Sequence, residues 1–141
     1  MKKQIFLFAL LFAVVFVAGC TSTGEVAKTA DNNNAVVQAG DEGAKVFHMD
    51  SFYVIEDGKP HPQFSVKELS VNKGDKVVVY VNSTKGTHDF NIDELNVHSA
   101  TPTSQVTRIE FTAPDAGDFV YYCNMPGHRA NGHWGTLHVV G

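Results

Sequence analysis

One thiol and two imidazoles fall within eleven residues near the C-terminus: Cys123, His128 and His133, at intervals Cys-x4-His-x4-His. The surrounding stretch runs Tyr121-Tyr122-Cys123-Asn124-Met125-Pro126-Gly127-His128-Arg129-Ala130-Asn131-Gly132-His133-Trp134-Gly135. Pro126, Gly127 and Gly132 punctuate it, and these residue types set turns. A loop bent in this way can bring three side chains to one point while its ends stay fixed in strands. A thiolate with imidazoles is a soft-to-borderline donor set that suits copper and zinc. His88 adds a fourth candidate from upstream. His48, His61, His98 and His138 have spacings that make no set and read as ordinary polar or surface histidines.

The elements that must position these groups are strands. Lys76 to Val81 carries Val77, Val79 and Val81 on one face, with Val78 and Tyr80 making the other face apolar too, as in a central or covered strand. In Thr87 to Ile92, His88, Phe90 and Ile92 share one parity, so a strand there points His88 to the core side. Thr107, Ile109 and Phe111 alternate with Arg108 and Glu110, and Phe119, Tyr121 and Cys123 share a parity just before the loop. Trp134 to Val140 closes the chain, with Leu137 and Val139 on one face. Phe47 to Ile55, interrupted by Met49-Asp50-Ser51, and Phe64 to Val71 supply two further strands. Glu56 to Pro60 reads as a turn and Glu94 to Thr103 as a polar connection without a helix. About seven to eight short strands with turns at this spacing predict an all-β Greek-key sandwich.

The first residues describe an export route. Met1-Lys2-Lys3 is positive, Ile5 to Ala18 is almost unbrokenly apolar, and Val17-Ala18-Gly19-Cys20 ends the run with small residues before a cysteine. The apolar run is short of the roughly 20 residues that span a bilayer. The pattern resembles a prokaryotic lipoprotein signal, which implies removal of residues 1–19 and lipidation of Cys20. Cys123 would then have no partner for a disulfide in the same chain. An unpaired thiol in an oxidising compartment is protected when it binds a metal. Residues 20–45, rich in Thr, Ser, Gly, Asn and Ala, read as a flexible tether, and residues 46–141 as one domain. A net charge of -4, with no basic cluster and no phosphate-binding glycine spacing, gives no reason to expect nucleic-acid or nucleotide binding.

From about Phe64 to Val140 the chain resembles the cupredoxins, the small copper proteins related to plastocyanin, azurin and auracyanin. The resemblance rests on Tyr121-Tyr122-Cys123-x4-His128, with Pro126-Gly127 inside it and Gly135-Thr136-Leu137 after it, and on Thr87-His88-Asp89-Phe90 after a valine-rich strand. It implies a single copper ion held by His88, Cys123 and His128. His133 stands where blue members carry a weak axial methionine, and Met125, inside the first loop interval, is no obvious substitute. An imidazole there would favour Cu(II), lower the potential and move the spectrum from blue toward green or red. A similar Cys/His/His loop occurs in nitrosocyanin, which uses an upstream glutamate; Asp93 and Glu94 are lesser candidates of that kind. Asp89 stands where many members carry an asparagine that ties the ligand loops together, and an ionised carboxylate can accept but not donate. Asp89, Met125 and Trp134 are the residues expected around the ligands.

Outer-sphere electron transfer with redox partner proteins, from a lipid-anchored position outside the cytoplasmic membrane, is the function this reading implies. Two other readings stay open. A site with three histidines and one thiolate could leave room for a small exogenous ligand and so serve redox catalysis or sensing, and the domain could store or deliver copper. Zinc is the alternative metal for such donors.

Overall fold

The structure, a computed structural model, describes residues 38–141. The signal-like segment 1–19, Cys20 and the tether as far as residue 37 lie outside the described residues.

Nine strands are formed by the described residues: β1 (Lys45–Glu56), β2 (Lys59–Phe64), β3 (Glu68–Asn72), β4 (Lys76–Ser83), β5 (His88–Ile92), β6 (Val97–Thr101), β7 (Gln105–Thr112), β8 (Gly117–Tyr122) and β9 (Trp134–Val140). They make two sheets, in the orders β2-β1-β4-β7 and β3-β9-β8-β5-β6. β1 runs parallel to β4, and β3 parallel to β9; the other pairs are antiparallel. The sandwich expected from the alternation is therefore present.

The valine-rich β4 lies inside its sheet, between β1 and β7, and Val77 through Val81 are all buried. Its inner face meets Phe90, Ile92, Tyr121, Leu137 and Val139 of the second sheet in one apolar cluster that also takes in Met49, Phe64 and Cys123. Burial of side chains this size supplies about 1.5–3 kcal/mol each. The cluster is what holds the two sheets, and with them the candidate ligands, face to face.

Three segments depart from the expected strand pattern. The supposed polar connection after Ile92 holds a short 3-10 turn, Asp93–Leu95, and strand β6. Asn96, in the left-handed region at φ 51°, lets the chain fold straight back so that β6 pairs along the whole of β5. β6 is a sheet edge with only Thr101 buried, so its sequence carries almost no apolar alternation. The Pro60 and Pro62 segment forms β2, also an edge, where a missing N–H is tolerated. Met49-Asp50-Ser51 does not interrupt β1: Met49 and Ser51 are buried while Asp50 is exposed, so a serine occupies a core position.

Packing also begins before β1. Asp41 is buried, accepts from the Tyr80 hydroxyl at 2.8 Å and pairs with Arg108 at 2.8 Å. Segment 38–44, within the stretch read as tether, is thus fastened to β4 and β7.

Candidate metal centre

The loop that carries Cys123, His128 and His133 is closed at its base by the β8–β9 ladder, in which Tyr122 faces Trp134 and Tyr121 faces Gly135. One more backbone bond continues that ladder into the loop, from the Cys123 amide to the His133 carbonyl at 3.0 Å. Inside the loop His128 N donates to Met125 O at 2.9 Å and His133 N to His128 O at 3.0 Å. Gly127 and Gly132 have φ of 78° and 95°, the conformation the tight bends require. The loop therefore folds on itself, and its three candidate ligands point to one side.

His88, the first residue of β5, reaches the same point from the neighbouring strand. One ligand atom from each of His88, Cys123, His128 and His133 lies within 4.8 Å of the others. His88 Nδ1 is 3.3 Å from His128 Nδ1 and 4.0 Å from Cys123 Sγ, and Cys123 Sγ is 3.4 Å from His128 Nδ1. Neutral donor nitrogens and a thiol placed this closely gain little from one another but can share a cation. His88, Cys123 and His133 are buried, whereas His128 is partly exposed.

The far side of each buried ring is held. His88 Nε2 lies 2.7 Å from the Lys85 carbonyl, to which it can only donate, so the lone pair of this imidazole is on Nδ1 and faces the cluster. Gly86 makes the approach possible, since a side chain there would meet His88 Nε2 at 3.0 Å. His133 Nε2 lies 3.1 Å from Ser51 Oγ, while its Nδ1 is buried with no hydrogen-bond partner. A buried polar atom without a partner is costly, and a metal is a chemically suitable partner for this one. The residues present therefore fit a bound cation, and the thiol with three imidazoles fits copper.

Burial pushes the Cys123 thiol up to about 11, against the opposing pull of the Asp89 and Met125 backbone amides. Burial also lowers His133 to about 3, reinforced by the charges that His88, His128 and Lys67 would carry. His128 is lowered for the same first reason, its own burial. A cation needs imidazoles that hold no proton at the ligating nitrogen, as burial favours at His128 and His133, and the thiol must give up its proton as the metal enters.

Of the residues expected around the ligands, Asp89 makes the loop tie after all. Its Oδ1 accepts from the Asn124 amide at 2.6 Å, which needs an acceptor only and so suits a carboxylate. Met125 is half-buried against the core. Trp134 is 47% exposed and borders an outer groove with Cys123, Met125, Pro126 and Arg129, so it does not seal the site from solvent. Asp93 is committed elsewhere, since both its oxygens lie within 3.0 Å of the Tyr122 hydroxyl, and Glu94 is exposed. Neither belongs to the four-residue cluster.

His48 stacks on Tyr80, His98 pairs with Asn91 and His138 with Asp118, as ordinary surface histidines do. Ser51, the Lys85 carbonyl and Lys67 were not foreseen. The Lys67 ammonium donates to the carbonyls of Gly132 and Trp134, on either side of His133, at 2.7 and 3.2 Å. Their only sequence signal is the serine at an inward position of β1.

A family profile described as Cupredoxin-like domain matches residues 7–134, a span that includes all four donors. Similar solved structures include dithionite-reduced auracyanin from the photosynthetic bacterium Roseiflexus castenholzii, with a TM-score of 0.56 and 20% identity over 70% of this chain and 100% of that one. The metal-binding domain of a Cu(I)-exporting P-type ATPase of Streptococcus pneumoniae has a TM-score of 0.56 and 14% identity, over 71% of this chain and 89% of that one. A copper nitrite reductase from Nitrosomonas europaea has a TM-score of 0.57 and 20% identity over 68% of this chain, which spans only 41% of the reductase. Likeness at these identities shows the shared fold. No curated protein matches the sequence.

Proposed function

The chain belongs to the cupredoxin-like family, and from that premise we propose that it is a mononuclear copper protein of electron transfer, with His88, Cys123, His128 and His133 as ligands. The observation that carries the proposal is the convergence of four donor atoms within 4.8 Å in the interior of the sandwich. Copper bound there would supply one-electron chemistry between Cu(I) and Cu(II).

What the chain contributes is a rigid frame. The Lys85 carbonyl holds the His88 ring, the Asp89 carboxylate ties β5 to the Cys123 loop, and the β8–β9 ladder closes that loop. Ligands fixed by three separate devices move little when charge at the site changes, which keeps reorganisation small. Phe64, 4.1 Å from His133 between ring centroids, and the buried Tyr121 keep water from the inner side. His128, partly exposed, offers the edge through which an electron would enter or leave. A third imidazole as the fourth donor, in place of a thioether, favours the more highly charged oxidation state and a low potential. With Cys20 lipidated, the stretch read as a tether would hold the domain at the outer face of the cytoplasmic membrane, within reach of redox partner proteins.

Visible and electron paramagnetic resonance spectra of the copper-loaded domain test the ligand set. Cys123→Ser is expected to abolish the thiolate-to-copper absorption while the sandwich stays folded; an unchanged spectrum refutes the assignment. His133→Met is expected to raise the potential and move the absorption toward blue, and no change in either places His133 outside the ligand set.

A groove of about 500 Å3, lined by Tyr53, Gly86, Thr87, Pro126 and both His88 and His128, favours a second reading in which a small ligand reaches the metal. Azide or nitric oxide that shifts the copper spectrum supports this reading, and spectra indifferent to both remove it. Rapid loss of copper to a competing chelator would instead support storage or delivery.

A further inference from the structure

Ser51 lies far from the metal-binding loop in sequence and belongs to a different sheet. It is fully buried in β1, level with Phe64 of β2 and Ser83 of β4, at a position where the alternation calls for an apolar residue. Its hydroxyl faces His133 Nε2 at 3.1 Å, and the ring of His133 is wedged between Phe64 and His88, at centroid distances of 4.1 and 4.6 Å. Its carbonyl accepts from the Thr84 amide at 3.0 Å. Thr84 begins the short link to β5 that contains the Lys85 carbonyl, the acceptor for His88 Nε2. One residue of β1 is thus joined to both buried histidines, by its side chain to one and through its backbone to the other.

From this connectivity, and resting on the ligand set proposed above, we propose that Ser51 is the positioning residue that makes His133 a ligand through Nδ1. An imidazole has two nitrogens, and in the neutral ring only one carries a lone pair. The Ser51 oxygen occupies the Nε2 side, so a metal at Nδ1 leaves the proton on Nε2, where it is donated to Ser51 Oγ. A hydroxyl can accept as well as donate, so the metal fixes the tautomer, and Ser51 Oγ, as the acceptor at Nε2, holds the ring in the orientation that aims Nδ1 at the cluster. Without it, Nε2 would face an apolar interior with no acceptor at that place, and the ring would no longer be held with Nδ1 toward the thiol. The fourth ligand is therefore governed from the sheet opposite the loop, and the spectroscopic character of the centre depends on a residue outside the Cys-x4-His-x4-His pattern. Since the Thr84 bond uses the backbone, replacement of the side chain leaves the support of His88 in place.

The test compares the wild type with Ser51→Ala and Ser51→Thr, each checked for folding by circular dichroism. Copper affinity is measured by chelator competition, the centre by electron paramagnetic resonance, and the His88 and His133 tautomers by nitrogen NMR of the Zn(II)-loaded proteins. Ser51→Ala is expected to lose about 10–100-fold in copper affinity, the range typical when a partner of a metal-bound histidine is removed. Its copper spectrum should move in the direction set by His133→Met, and the His133 nitrogen pattern should change while that of His88 does not. Ser51→Thr, which keeps the hydroxyl, is expected to retain the wild-type tautomer. Wild-type affinity, copper spectrum and His133 tautomer in Ser51→Ala would overturn the proposal and leave the ligand set standing. A wild-type protein with no thiolate-to-copper absorption would overturn the ligand set, and this inference with it.

Discussion

Consider His133→Leu in protein stripped of metal by a chelator. At neutral pH two effects oppose each other. The substitution removes a buried Nδ1 without a partner, a burden of about 1–3 kcal/mol. It also removes the contact with Ser51 Oγ at 3.1 Å, worth about 1 kcal/mol, and strands the hydroxyl. The volumes are similar, and the leucine would keep the packing against Phe64. The net change at pH 7 is therefore expected to be small, within about 1 kcal/mol.

Acid separates the two proteins. Burial holds His133 neutral down to about 3 in the folded chain, whereas an unfolded histidine takes up a proton near pH 6.5. The unfolded state then binds more protons, so the contribution of this residue is intact above pH 6.5 and is lost as pH falls below it, until the folded value is reached. At pH 5 the wild type should have lost as much as about 2 kcal/mol that the leucine variant keeps. Urea unfolding of both stripped proteins at pH 7 and pH 5 measures this directly. Identical pH dependence would refute the argument, since it would mean that the imidazole is solvated or paired in the folded state.

Asp89→Ala removes the acceptor of the 2.6 Å bond from the Asn124 amide; with Asp89 partly exposed, thermal unfolding should show a loss of about 1 kcal/mol, and Asp89→Asn about half as much. Gly135→Ala places a methyl group against the Tyr121 ring and 2.6 Å from the Lys67 carbonyl. Repacking should cost about 1–3 kcal/mol in denaturant unfolding and break the bond from the Tyr121 hydroxyl to the Val66 carbonyl. Lys67→Met removes the ammonium that joins the Gly132 and Trp134 carbonyls; with less positive charge beside His133, the copper potential measured by voltammetry should fall. Copper in excess at 100 times its dissociation constant should stabilise the stripped wild type by about 2.7 kcal/mol, and Cys123→Ser much less at the same copper concentration.

The two strongest signals in the chain were local ones. Cys123, His128 and His133 sit in one short loop, so their convergence follows from glycine and proline chemistry, and the β8–β9 ladder that closes the loop follows from the alternation on each side. His88 was legible because its parity with Phe90 and Ile92 put it on the buried face of β5. The edge strands β2 and β6 were not legible: one carries two prolines and the other almost no apolar pattern, since an edge buries little. Asp89 was legible as a position but not in its effect, because only the structure shows that the bond needed there is an amide donating to an acceptor.

Residue order alone was enough to point to the four clustered side chains, the sandwich and the loop, because each signal lies among neighbours within a strand or a turn. Ser51 and Lys67 belong to another class: they are separated from His133 by 82 residues and from Gly132 by 65. A serine in a strand and a lysine in a connection are commonplace until packing of the two sheets carries one to the His133 ring and the other to the carbonyls on either side of it. Which nitrogen of His133 is left free is a property of that packing, and no pattern along the chain encodes it.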